Sequence, residues 1–124
     1  MEDDRNKLQT LSEALQKVQE DLQSAVEARQ KLEAQQQENK AVQNEFSSLA
    51  DDAGIYRLVG PVLLKQDKTE AVTTVDGRLD FIGKEINRTE TRIKGLQEGS
   101  EKKRVELMQL QQKIQLAAQE QGAG

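Results

Sequence analysis

Any chemistry in this chain is done without the residues that usually do it. Its 124 residues include no cysteine and no histidine. That removes disulfides, thiol nucleophiles, Cys/His metal sites and imidazole acid–base work together. Carboxylate pairs are expected by chance on the solvated helices of a chain with 22 acidic residues, and no Gly-rich phosphate loop follows a strand. No residue is therefore a candidate for catalysis, for a metal or for a cofactor. The residues whose types and spacing stand out are apolar, and their chemistry is adhesion. They are the run Ile55-Tyr56-Arg57-Leu58-Val59-Gly60-Pro61-Val62-Leu63-Leu64-Lys65-Gln66 and the aliphatic residues that recur along the flanking segments.

In the middle run, Gly60-Pro61 is a turn signal that divides two short apolar strands. A two-residue loop sets Val59 against Val62, Leu58 against Leu63, Arg57 against Leu64 and Tyr56 against Lys65. Gly60 suits a first turn position with φ > 0, as in a type II′ turn. One face then carries Tyr56, Leu58 and Leu63, and the other Ile55, Val59, Val62 and Leu64. Two strands alone are at best marginal in water, and their edges carry unpaired backbone groups. A coiled coil two helices thick cannot cover both faces. The pattern predicts that several chains join their hairpins into a shared sheet or barrel, with Ile55, Tyr56, Leu58, Val59, Val62, Leu63 and Leu64 as the oligomerisation residues. A hydrophobic loop that merely caps the coiled-coil end is the alternative, and shared hairpins are the stronger reading.

Such a hairpin needs long elements to carry it. Only 35% of residues are hydrophobic and 32% are charged, too polar a mix for a compact core but sufficient for a narrow seam. From Leu8 the apolar residues recur at steps of three and four: Leu8, Leu11, Leu15, Val18, Leu22, Ala25, Arg29 and Leu32. Beyond Leu32 the apolar residues favour a one-residue slip, through Gln35, Asn39, Val42, Phe46, Leu49 and Ala53, which would be a stammer. Asp51-Asp52-Ala53-Gly54 reads as the helix end, with Gly54 as its C-cap.

Asp67-Lys68-Thr69-Glu70 reads as a capping box. The second seam follows without a break: Val72, Val75, Leu79, Ile82, Ile86, Thr89, Ile93, Leu96, Ser100, Lys103, Leu107, Leu110, Ile114 and Ala117. Gly77, Gly83, Gly95 and Gly99 lie inside it, so a bendable helix is expected, with a stop at Gly95 or Gly99 as the alternative.

The expected architecture is mainly α: one unit over 1–124, with helix 1 at 5–53, a β-hairpin at 55–66, helix 2 at 68–119 and a frayed tail at 120–124. The helices form a long antiparallel two-helix coiled coil. Residues at one height then have numbers of constant sum, and 124 or 125 pairs the apolar positions best. Leu8 faces Ala117, Leu11 faces Ile114, Leu15 faces Leu110 and Val18 faces Leu107. Towards the bend, Leu32 faces Ile93, Val42 faces Ile82 and Phe46 faces Leu79, while Leu22 against Lys103 and Asn39 against Ile86 are poor pairs.

The net charge of −4, without a basic block and nearly without aromatics, disfavours nucleic acid as a partner. No stretch approaches the roughly 20 apolar residues of a membrane span, and the acidic start Met1-Glu2-Asp3-Asp4-Arg5 is no secretory signal. A soluble intracellular protein is expected. A general coiled-coil scaffold or tether would explain the heptads, but not an apolar two-faced hairpin at the bend.

The hairpin run, set between helices of this length and followed by Arg78-Leu79-Asp80-Phe81-Ile82, resembles the prefoldin family over essentially the whole chain. A single hairpin fits the β class. The resemblance implies a cytoplasmic, ATP-independent chaperone: a heterohexamer in which this chain joins two α-class and three further β-class chains. Their hairpins would form a double β-barrel platform that uses Tyr56, Leu58, Val59, Val62, Leu63 and Leu64. Unfolded or nascent proteins, notably actin and tubulin, would be held at the coiled-coil ends and passed to a cytosolic group II chaperonin. The client-binding candidates are Leu8, Leu11, Leu15, Val105, Leu107, Met108, Leu110, Ile114 and Leu116. Of these, Leu11, Leu15, Leu107 and Leu110 are expected to serve the seam first. Val105, Met108 and Leu116 lie off it and are the stronger candidates for client contact.

Overall fold

A computed structural model describes residues 2–50 and 54–123. The order is α1 (Glu2–Ser48), β1 (Ile55–Val59), β2 (Val62–Gln66) and α2 (Lys68–Ala123). The chain divides into two compact units, Met1–Glu27 with Thr89–Gly124 and, separately, Ala28–Arg88.

Helix α1 starts at Glu2, where Glu2, Asp3 and Asp4 occupy the first turn and complement the positive end of the helix dipole. It stops at Ser48, short of the expected end at residue 53. The hydroxyls of Ser47 and Ser48 donate to the Asn44 and Glu45 carbonyls at 2.8 and 2.9 Å. Side-chain bonds of this kind compete with the helical ladder. Leu49 N–H closes a tighter turn on Phe46 O at 3.3 Å, and the Lys68 ammonium donates to Leu49 O at 2.9 Å. Residues 51–53 of the expected cap lie outside the described residues.

Helix α2 begins at Lys68, which leaves Asp67 as the residue before it; the Asp67 carbonyl accepts from Ala71 N–H at 3.0 Å. It then runs without interruption to Ala123, through Gly95 and Gly99 and through most of the expected frayed tail. A glycine costs about 1 kcal/mol in a helix interior, too little to break a helix whose seam is packed on both sides of it.

Burial along α1 follows the strict heptad phase and corrects the expected slip. Gln36, Asn39, Gln43 and Phe46 are half-buried and Gln35 is exposed. Val42 and Leu49 remain 37% exposed. A glutamine holds a seam position because its amide finds a partner: Gln43 Nε2 donates to Asp76 Oδ1 at 2.8 Å. On α2 every expected seam residue from Val75 to Ala117 is buried or half-buried, and Ala71 joins them at 3% exposure.

The helix portions run antiparallel within each unit, but the pairing is one heptad away from the one expected. In the first unit Asp4 Oδ1 meets Lys113 Nζ at 3.6 Å. In the second, Gln43 meets Asp76 and Lys68 meets the Leu49 carbonyl. These pairs have numbers adding to 117 or 119, and the heptad phases place the seam layers at 118. A sum of 124 or 125 would hold the Asp4 and Gln43 pairs roughly 8–12 Å apart along the axis. Leu11 is therefore level with Leu107, Val18 with Ser100, Leu22 with Leu96 and Ala25 with Ile93; in the second unit Leu32 is level with Ile86 and Phe46 with Val72. Small residues lie beside large ones here, which is why Ala25 and Ser100 are buried to 4% and 5% exposure.

The natural chain has no cysteine, so this register is open to direct test. Oxidation is expected to cross-link Val18→Cys with Ser100→Cys, and to leave Val18→Cys with Leu107→Cys open, as read on a non-reducing gel.

Candidate functional site: an uncovered hairpin and apolar helix ends

Strands β1 and β2 form a two-stranded antiparallel sheet with Ile55 opposite Gln66, Tyr56 opposite Lys65, Arg57 opposite Leu64, Leu58 opposite Leu63 and Val59 opposite Val62. This is the register read from the turn signal. Gly60 has φ 59°, and the proline ring holds Pro61 at negative φ. That combination is the type II′ turn, whose twist matches the strands it joins.

Most of the hairpin's apolar surface is left exposed among the described residues. On one face Leu58 and Leu63 are 67% and 63% exposed, with Tyr56 beside them; on the other Val59, Val62 and Leu64 are about half exposed. Ile55 departs from this group. Expected among the oligomerisation residues, it is instead 8% exposed, in a pocket it lines with Val42, Phe46, Ala71 and Val75. It anchors the base of the hairpin to the helices and has no surface to offer a partner. The outer edges of β1 and β2 are without a neighbouring strand among the described residues.

The helix-end candidates divide in two. Leu8, Leu11, Leu15, Leu107, Leu110 and Ile114 are half-buried in the seam of the first unit. Val105, Met108 and Leu116 are 44%, 67% and 55% exposed, and Val105 and Met108 line a shallow groove floored by glutamines. A larger groove, about 850 Å³, exposes the flanks of Leu11, Ala14 and Leu110 between the charged side chains of Asp3, Lys7, Glu106 and Lys113. Among the described residues no group of His, Cys, Asp or Glu is gathered to hold a metal, and no helix is long and apolar enough to cross a membrane.

Phe81 has no role assigned from the sequence, although it stands in a motif. It is 63% exposed on α2. The signal was available, because an unbroken seam through Leu79 and Ile82 leaves Phe81 pointing away from it.

Two long helices joined by an uncovered apolar hairpin define a class of assembling chaperone subunits, and the chain belongs to the prefoldin subunit family, whose family model matches residues 9–114. The chain is 44% identical to human prefoldin subunit 6 over 113 residues, 91% of this chain and 88% of that one. It is 50% identical to prefoldin subunit 6 of Saccharomyces cerevisiae over 78 residues, 63% of this chain and 68% of the other. Among solved structures it resembles the prefoldin beta subunit from Thermococcus strain KS-1, with a TM-score of 0.77 and 27% identity, covering 83% of this chain and 90% of that one. The family is one of chaperone subunits rather than enzymes, and its members form complexes with other prefoldin subunits.

The two kinds of hairpin residue are separable by stability. Ile55→Ala is expected to cost the isolated chain about 2 kcal/mol or more, as for other buried large-to-small changes. Leu58→Ala is expected to stay within about 0.5 kcal/mol. Urea denaturation followed by circular dichroism checks both.

Proposed function

We propose that the chain is a subunit of a cytoplasmic prefoldin heterohexamer, assembled through its hairpin with two α-class and three further β-class chains. The observation that carries this reading is the exposure of Tyr56, Leu58, Val59, Val62, Leu63 and Leu64 on both faces of one small sheet. Isolated hairpins of this size are at best marginally stable, and exposed apolar patches mark sites of association. A shared double β-barrel closes the strand edges and covers the faces at the same time.

The complex holds unfolded or nascent proteins, actin and tubulin among them, at the helix ends and passes them to a cytosolic group II chaperonin. Val105, Met108 and Leu116 are the first client contacts, since they are already exposed. Met108 adds an adaptable thioether suited to varied partners. Leu8, Leu11, Leu15, Leu107, Leu110 and Ile114 contribute when the ends of the seam open, an event confined to the less stable termini of helices. Several such arms acting together raise a weak contact to useful affinity. No step in this cycle uses ATP.

Two measurements test the reading. Leu58→Ser with Leu63→Ser is expected to abolish recovery of the hexamer on co-expression with α-class chains, while the helix content of the isolated chain stays unchanged. In the assembled wild-type hairpin background, Val105→Ser, Met108→Ser and Leu116→Ser together are expected to weaken suppression of client aggregation about twofold or more, with or without ATP. Unchanged suppression removes these three as client contacts.

A further inference from the structure

Two surface grooves of the Ala28–Arg88 unit share Thr74 and Arg78 in their walls. One reaches the hairpin at Tyr56 and Arg57. The other, about 560 Å³, is bordered by Gly77 and Phe81. The space above Gly77 is open: a methyl group placed on its α-carbon would meet nothing within 4 Å. Their linings, joined at Thr74 and Arg78, make up a track of two adjacent grooves from Tyr56 to Phe81, with an exposed aromatic ring at each end.

The charge along this track is one-sided. Its lining includes Arg57 and Arg78 and no acidic side chain, in a chain with 22 acidic and 18 basic residues. Among the described residues neither arginine takes part in an ion pair. Two guanidinium groups beside apolar rings suit a carboxylate accepted in bidentate fashion, flanked by an apolar side chain.

We propose that this track is a second subunit contact, one that meets the hairpin at Tyr56 and Arg57 and extends from it onto α2, and that it takes an acidic, partly apolar segment of an adjacent prefoldin subunit. The inference rests on the assembly reading above. A chain that covers Tyr56 reaches Arg57 and Arg78 with no further partner, and inserting an apolar side chain beside Phe81 removes the largest exposed ring on α2 from water. Aromatic and arginine side chains are the types that most often dominate an interface.

The test uses the full chain co-expressed with its partner subunits. Phe81→Ser with Arg78→Glu is expected to raise the concentration at which the complex half-dissociates about tenfold. Both positions are exposed, so the helix content of the isolated chain is expected to be unchanged. A benzoylphenylalanine photo-crosslinker at position 81 is expected to capture a sister subunit at an acidic segment. Unchanged dissociation, or capture of client alone or of a second copy of this chain alone, overturns the proposal while leaving hairpin assembly standing. Failure of the wild-type chain to assemble with any α-class partner overturns the assembly reading, and this proposal with it.

Discussion

A two-stranded sheet with apolar side chains on both faces is the constraint on which the rest of the molecule depends. Backbone pairing between Ile55–Val59 and Val62–Gln66 satisfies only the inner edges of the strands. Ile55 is the sole apolar hairpin residue drawn against the helices. The other six keep their exposure because the helical seam beneath has no surface wide enough to receive them. A monomer with this feature carries a standing penalty in water, and the plain physical remedy is more strands from other chains.

The seam serves a different purpose. No described side chain is completely buried, as expected where two helices share one narrow line of contact. Ion pairs one turn apart, such as Lys17–Asp21 at 3.1 Å and Lys84–Asp80 at 3.0 Å, add a few tenths of a kcal/mol each. The helices are thus held by many small contributions, and their ends are the places where those contributions run out. At the helix ends in the first unit, apolar residues are accordingly either half-buried in the seam, as Leu11 and Leu107 are, or exposed beside it, as Met108 and Leu116 are.

Much of this was legible in the residues themselves. Gly60-Pro61 specified the turn and with it every cross-strand pair, because a proline after a positive-φ glycine admits one hairpin geometry. The α2 seam was legible because its phase never breaks. The pairing of the two helices was not. A heptad pattern repeats every seven residues, so sums of 118 and 125 both set core positions against core positions, and apolar matching alone cannot choose between them. The register shows where Lys68 bonds the Leu49 carbonyl and Gln43 bonds Asp76, through polar atoms that no hydrophobic count weighs. The same blindness produced the false slip: Val42 looked a better seam residue than Gln43 until the glutamine amide found its carboxylate. Ile55 was misplaced because alternation along a strand names its face but not what that face rests on.

The central claim is that the hairpin acquires its stability from neighbouring chains. Amide hydrogen exchange across 55–66, measured on the isolated chain and again in complex with α-class partners, tests it most directly. Exchange is predicted to be fast in the isolated chain, with residues at the Ile55 end slowest, and to become strongly protected in the complex. Strong protection along the whole hairpin in the isolated chain, unchanged on adding partners, would contradict the account.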